Sequence, residues 1–516
     1  MVGRANSGQA TPGPLGSNAA ACGTLIMSVT FQRPTDARYG AKLERAIGRL
    51  RGGSIDRVRV MWCDLHGQTR GKVLTPQAAI RALQDGISMV STLMLKDTSD
   101  RTAYKVFEPS GTASLSGFGQ ANNLLLLPDP GTLCDLPFSP GSAWMQAQPY
   151  FEDGTPVELD TRRILQRALA RLSDAGMGLR CGLEVEFHIY RITSTRSQLN
   201  PEDAQWPGEP PEVELIHPGY KLLSEDWHDM AEPALEIVRQ TALGLGLPLT
   251  SLELEMGPSQ VEVVFDATDA MSAADQMVLF RNAVRMALRR AGYHASFICL
   301  PPFGNPMSSG WHLHQSLVSA DQGQNLMRRD NPMASSTLEQ ASAVLSELGE
   351  HWLAGLLKHA PAMTALCVPT TNGYGRFRPN ALAPQSILWG RDNRGALLRV
   401  IGPCGSKATR IENRLGEPAA NPYLYLAAQI HAGLDGIAQK MRAPLGTHDP
   451  YSPSAQRLPS NLALALKALA EDEALVQGLG SDFVAYFQRI KQAEVARQQA
   501  AADPVEFQRR EYFSRL

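Results

Sequence analysis

Gly182-Leu-Glu-Val-Glu-Phe-His-Ile-Tyr190 alternates apolar and polar side chains residue by residue, which predicts a β-strand. Successive strand side chains point to opposite faces, so Glu184 and Glu186 share one face while Val185 turns to the other. Four more stretches place functional side chains two apart: Glu253-Leu-Glu255, Gln260-Val-Glu262, His312-Leu-His314 and Glu412-Asn-Arg414. Leu254, Val261 and Leu313 then point away from a shared cavity. Carboxylates and imidazoles gathered in this way point to a metal and anion site. Hard divalent ions prefer oxygen ligands, so Mg²⁺ or Mn²⁺ is expected rather than structural zinc, for which no cysteines stand at paired spacing.

Around these strands the chain reads as a small mixed unit followed by a larger α+β one. Met1 to about Gly23 is rich in Gly, Ala, Ser and Pro with almost no bulky apolar residues, and residues 1–35 are expected to be a disordered tail. A helix is predicted from Asp36 to Leu50. Arg57 to Trp62 alternates, Asp64-Leu-His-Gly67 reads as a turn, and a second short strand falls near Lys72 to Leu74. Pro128, Pro130, Pro137 and Pro140-Gly141 cluster after an apolar run, marking a boundary near residue 141. Beyond it, Asp160 caps a helix to Ala175, residues 196–221 read as a long loop, and Trp227 to Leu245 as a helix. Ser251 to Glu255 and Gln260 to Phe265 flank Gly257-Pro258 and form a hairpin that brings Glu255 near Glu262. Ala273 to Ala291 and Thr337 to Lys358 are further helices, and no internal repeat is evident.

With 516 residues, a formal charge of −2 and 43% hydrophobic content, the chain can bury a sizeable core. Basic and acidic residues nearly balance and no long basic run occurs, which argues against a nucleic-acid partner. Seven scattered cysteines fit a reducing compartment better than a disulfide framework. No apolar run approaches the roughly 20 residues of a membrane span, and no signal peptide is evident, so no membrane association and a cytoplasmic location are expected.

Taken singly, each motif has an ordinary explanation. A lone Glu-x-Glu on a strand is usually a solvated face, and arginines are common on surfaces. His312 and His314 on one face are less ordinary. Arg376, Arg394, Arg399, Arg410 and Arg414 crowd among Gly, Pro and Asn, where rigid turns and guanidinium forks can clamp anions. Together the stretches resemble the glutamine synthetase family. The resemblance rests on Gly310-Trp-His-Leu-His-Gln-Ser-Leu317, Asn372-Gly-Tyr-Gly-Arg376 running to Ala383-Pro384, Asp392-Asn-Arg394, and Arg410-Ile-Glu-Asn-Arg414 running to Ala420-Asn-Pro-Tyr-Leu424. Upstream it takes in Glu184-Val-Glu186, Glu255-Met-Gly-Pro-Ser-Gln-Val-Glu262, Leu127-Pro-Asp-Pro-Gly-Thr132 and Asp153-Gly-Thr-Pro156, in family order, and covers about residues 40 to 516.

The resemblance implies a β-grasp domain over residues 36–141 and, over 142–516, a catalytic domain whose antiparallel strands form a funnel flanked by helices. It implies homo-oligomeric rings, such as dodecamers, with active sites shared between subunits. One metal would be held by Glu186, Glu255 and Glu262, and a second by Glu184, His312 and Glu412. His314, Arg399 and Arg410 would serve the nucleotide and phosphate, while Arg376, Arg394 and Arg414 would hold the glutamate carboxylate and the transferring phosphoryl group. The implied chemistry is ATP-dependent activation of the γ-carboxylate of L-glutamate as γ-glutamyl phosphate, followed by attack of an amine.

Two departures bear on the amine. Glutamine synthetases proper carry a Glu just before Ala-Pro that closes the ammonium site, and this chain has Leu382 there. The counterpart of a second acid, lent by a neighbouring subunit, falls within Ser88 to Thr92, around Val90, where there is no acid. Desolvating ammonium without nearby carboxylates is costly. The chain therefore looks like the branch that joins glutamate to organic amines. Leu382, Met89 and Val90 suggest an apolar wall, favouring an alkyl or aromatic amine such as isopropylamine or aniline over putrescine and other polyamines, then ammonia. An alternative is that Asp97 supplies the missing acid from a shifted loop. A catalytically silent scaffold or nitrogen sensor is the competing class, although it would not need all six metal ligands. Thr447-His-Asp-Pro-Tyr451 does not resemble the adenylylated loop of regulated bacterial relatives.

Overall fold

A computed structural model describes residue 31 and residues 37–108, 110–194, 201, 204, 206–304, 306–331, 337, 339–379 and 381–516. The tail expected over 1–35 lies outside the described residues except for Phe31. That residue is buried, its ring edge-on to Tyr150 at 5.3 Å and packed beside Leu127.

Two sheets organise the chain. The first takes β1 (Arg57–Cys63), β2 (Thr69–Leu74), β3 (Ile87–Val90), β4 (Asn123–Pro128), β5 (Cys134–Asp135) and β6 (Ser142–Tyr150) in the order β2-β1-β6-β4-β3, with β5 also on β6. Its central pair, β1 and β6, is parallel and the other pairs are antiparallel. The helix Pro76–Asp85 is capped by Thr75, whose hydroxyl accepts from Ala78 N, and it buries Ala79, Ala82 and Leu83. The Pro and Gly residues around 137–141 thus mark a turn into a central strand, and chain on both sides of the boundary expected near 141 shares one sheet.

The second sheet has nine strands: β7 (Met177–Ser194), β8 (Glu212–Leu215), β9 (Leu249–Leu254), β10 (Gln260–Asp269), β11 (Tyr293–Ser296), β12 (Trp311–Ser319), β13 (Trp389–Arg391), β14 (Leu398–Ile401) and β15 (Arg410–Gly416). Its order is β13-β14-β15-β12-β7-β10-β9, with β8 and β11 on the far end of β7. Only β13 and β14 run parallel. Val185, Phe187 and Ile189 of β7 are fully buried, and Phe187 meets Phe280 of the helix Ala270–Arg290. The opposite face, carrying Glu184 and Glu186, is left for the site.

Behind the sheet, the helix Pro422–Ala438 is buried on nearly all sides and packs against Glu347–Lys358 and Thr161–Asp174. Its approach to Glu347–Lys358 needs glycine, because a Cβ on Gly355 would lie 2.2 Å from the Ala432 carbonyl oxygen and one on Gly436 2.2 Å from that of His351. Asn421 caps the helix through Tyr423 N and Leu424 N and donates to the Asp64 and Leu65 carbonyls, tying the first sheet's turn to the second unit. Buried Arg281 adds bonds to the carbonyls of Gly67, Pro418 and Ala420.

Most predicted elements form. The helix expected over 337–358 starts later, at Glu347, because the Ser346 hydroxyl accepts from Gly349 N and caps it there; upstream, Ala341–Ala343 forms a separate 3-10 turn, and Ala341, Ala343, Val344 and Leu345 are buried. The loop expected over 196–221 contains β8, and part of it lies outside the described residues. The six described cysteines are free, and no described helix is long and apolar enough to cross a membrane.

Candidate active site

Strand register assembles the site. Glu262 on β10 stands opposite Glu186 on β7, Glu184 opposite His312 on β12, His314 opposite Glu412 on β15, and Glu412 opposite Arg399 on β14. Side chains two apart on β7 and on β12 therefore join one continuous polar row across five strands. Within it, His314 Nε2 lies 2.8 Å and His312 Nδ1 3.5 Å from the Glu184 carboxylate; His312 is also 3.8 Å from Glu186 and 3.9 Å from Glu412. Glu255, just past β9, shares a hydrogen bond with Glu262, as the hairpin predicts. Arg410 Nε donates to His314 Nδ1 at 3.0 Å. A guanidinium has no acceptor, so the His314 proton must sit on Nε2, facing Glu184.

Like charge and burial set the electrostatics. Burial, reinforced by the charge of Glu255, pushes the Glu186 carboxyl up to about 8. Burial together with Glu186 and Glu184 pushes Glu262 up to about 10, and Glu255 is raised chiefly by burial. At Glu184 burial works the same way, but hydrogen bonds with His312 and His314 prevail and hold its carboxyl well below the usual range. Burial also opposes ionisation at Glu412, where the Arg414 charge prevails, and burial lowers His312 to about 4. Carboxyls crowded together at the cost of their own ionisation fit a divalent cation, whose charge removes that cost. The donors are carboxylate oxygen and imidazole nitrogen, a set able to hold a divalent metal ion.

Two groups of side chains have ligand atoms within 4.8 Å of one another: Glu184, Glu262 and His312, and Glu184, His314 and Glu412. These groups differ from the sets implied by resemblance: Glu184 belongs to both, and Glu186 and Glu255 to neither. One Glu186 oxygen accepts from Gln260 Nε2 and Gly310 N, each at 2.9 Å.

The arginines divide. Arg399 donates to Glu412 at 3.0 Å and to Asp392, and Arg414 bonds Glu412 directly. Arg376, expected to hold substrate, is buried and turned onto the backbone, donating to the carbonyls of Arg414, Leu415 and Gly416, with its Nε left without a partner. In this chain it braces β15. Arg394 is exposed and brought to the row by no hydrogen bond among the described residues. Leu382 is 64% exposed with a positive φ of 52°, and its carbonyl accepts from Arg414 at 3.3 Å. Val90 is exposed too, but Met89 alternates inward to the first sheet's core and cannot belong to an apolar wall. Asp97 does not stand in for a missing acid: it is buried, paired with Arg497, and accepts from Ser99 N and Arg101 N.

A cavity of about 870 Å³ opens beside Glu184 and His314 and reaches Asn325, Arg328, Lys407 and Arg410. Sequence reasoning missed Arg328 and Lys407, which stand in no motif, and Gln260, whose position in Gln-Val-Glu262 was the available signal. Glu253, directly opposite Glu262, was likewise quoted without a role.

Comparison with known proteins points to one family. The family model for the glutamine synthetase catalytic domain matches residues 158–510. A gamma-glutamylanilide synthase from Acinetobacter sp is 35% identical over 491 residues, covering 92% of this chain and 96% of that protein. A gamma-glutamylethanolamide synthetase from Streptomyces coelicolor is 28% identical, covering 89% and 93%. Among solved structures, a complex of GmaS with ADP superposes with a TM-score of 0.72 at 27% identity, covering 90% of this chain and 98% of that one. On the sequence match, the relatives and the shared α/β architecture, this chain belongs to the glutamine synthetase family.

Proposed function

We propose that the protein is an ATP-dependent carbon–nitrogen ligase joining the γ-carboxylate of L-glutamate to an organic amine through γ-glutamyl phosphate, with an alkyl or aromatic amine as acceptor. One observation carries the amine reading: where ammonia-using relatives place a carboxylate, Leu382 stands beside Arg414. Similarity to a gamma-glutamylanilide synthase and a gamma-glutamylethanolamide synthetase supports it.

A carboxylate is a poor acyl donor, and its phosphorylation brings two anions together. Divalent ions bound by Glu184, Glu186, Glu255, Glu262, His312 and Glu412 would neutralise that charge. In this reading the 870 Å³ cavity takes the nucleotide, with Arg328, Lys407 and Arg410 facing its phosphates. Arg410 also keeps the His314 proton on Nε2. Arg399 and Arg414 flank Glu412, and the buried Arg414 Nε, which has no partner, is a donor for the substrate anion. Leu382 offers the acceptor apolar surface and no charge, so an apolar amine loses less solvation on entry than ammonium does.

The reading extends to the assembly. We take the first sheet with its helices as a β-grasp domain ending after β6, and the nine-stranded sheet as the funnel wall of the catalytic domain. A ring of copies, with Val90 of one subunit set near Leu382 of the next, accounts for the exposure of both. The deciding experiment is phosphate release from ATP with glutamate and a panel of amines including aniline, isopropylamine, ethanolamine, putrescine and ammonium. Fastest release with an uncharged-tail amine is expected. Preference for ammonium would overturn the amine assignment, and no release with any amine would overturn the ligase.

A further inference from the structure

The turn that carries Arg376 is fastened from two sides. On one side Thr370 donates through its backbone N, at 2.8 Å, and its hydroxyl, at 2.9 Å, to the buried Glu417 carboxylate, three residues past Arg414. On the other, the segment around residues 504–516 reaches back across the molecule. Thr371 N donates to the Tyr512 hydroxyl at 3.2 Å, the Thr371 hydroxyl lies 2.9 Å from it, and Asn372 donates to Gln508 at 2.9 Å. Tyr512 has no exposed surface, and its own proton goes to Glu494, which is paired with buried Lys491 at 3.0 Å. With its proton committed to Glu494, the Tyr512 oxygen can only accept from Thr371. The directions are therefore set: Lys491 and Tyr512 both donate to Glu494, and Thr371 donates to Tyr512.

We propose that Tyr512, far from the polar row in sequence, is a positioning residue for the ligase reaction. Acting through Thr371, it holds the 370–376 turn so that Arg376 grips the carbonyls of Arg414, Leu415 and Gly416. That grip sets the tilt of β15, and with it Glu412 and Arg414. A buried hydroxyl whose loss leaves both a backbone N–H and a carboxylate oxygen unpaired is a strong constraint on one arrangement. The inference rests on the ligase reading for its kinetic consequence, but the mechanical linkage is independent of it.

Tyr512→Phe keeps the ring against Phe507 and removes only the hydroxyl. In the metal-free full-length protein, amide hydrogen exchange should quicken in 370–376 and 411–416. It should stay unchanged in 97–101 and 294–297, which the same segment holds through Glu511, Phe513 and Leu516. Simple loosening of the segment would raise exchange at all four places and overturn the proposal, as would unchanged exchange in 411–416. In glutamate- and amine-dependent phosphate release, kcat should fall roughly tenfold with the KM for ATP unchanged. Thr371→Val should reproduce both effects, and the double variant should be no worse than either single one. If Tyr512→Phe does not fold, Thr371→Val alone decides the matter. Wild type inactive with every amine would sink the ligase reading and leave the exchange result to judge the linkage.

Discussion

Glu186 on β7 and Glu262 on β10 face each other directly across an antiparallel pair, and Glu253 on β9 in turn faces Glu262. Like charges opposite one another destabilise a sheet. The fold keeps these carboxyls crowded at the cost of their own ionisation, and a divalent cation held there would remove that cost.

Glu262→Gln replaces one of the crowded carboxyls, already held largely protonated without metal, with a neutral side chain of the same shape. The metal-free Tm is therefore expected to stay level or rise, while the Tm increase produced by Mn²⁺ or Mg²⁺ in wild type shrinks and phosphate release is lost. Glu412→Ala should also abolish release, but with a lower metal-free Tm, because Arg399 and Arg414 lose their shared partner. Thermal melts with and without metal check both, and wild-type turnover in either variant contradicts the metal assignment.

Leu382→Glu places a carboxylate beside the proposed amine entry. The amine-to-ammonium ratio of kcat/KM should move toward ammonium, and Val90→Asp added to it should move it further if a neighbouring subunit completes the pocket. A ratio unchanged in both variants, with ATP and glutamate binding intact, contradicts the apolar-wall reading.

His359 sits between two carboxylates, Nδ1 2.7 Å from Asp472 and Nε2 2.8 Å from Asp435. Burial disfavours its charge, yet the two aspartates prevail and its pKa is raised. A folded pKa above the unfolded value of about 6.5 means the stabilisation is complete below about pH 6.5 and fades as pH rises through the folded value. The Tm gap between wild type and His359→Gln should be widest near about pH 6 and narrow toward about pH 9. A gap that widens with pH would mean that the imidazolium is not the stabilising form.

Gly355→Ala drives a methyl into the Ala432 carbonyl at the most crowded helix crossing. A loss of about 1–3 kcal/mol is expected from the forced separation. Denaturant unfolding measures it, and an unchanged midpoint would show that the two helices can part without cost.

Much of the site was legible because it depends on local covalent geometry. Glu184 and Glu186, and His312 and His314, share a face wherever their strands lie, and Gly257-Pro258 between two apolar runs makes the Glu255–Glu262 hairpin. The start of the 337–358 helix was misplaced because a separate buried 3-10 turn carries the same residue types as a helix start.

The sequence by itself determined the residue types of the polar row, the faces they occupy within each strand, the α+β class and the family. Only the tertiary structure decided which strands are neighbours, and so that Glu184 belongs to both groups of ligand atoms, that Arg376 braces β15, that Met89 faces a core and that Tyr512 reaches Thr371. Alternation along a strand follows from chirality and bond geometry at each residue. Register between strands, and the burial that turns a guanidinium from a substrate onto a carbonyl, come from packing between segments up to hundreds of residues apart, which no local pattern encodes.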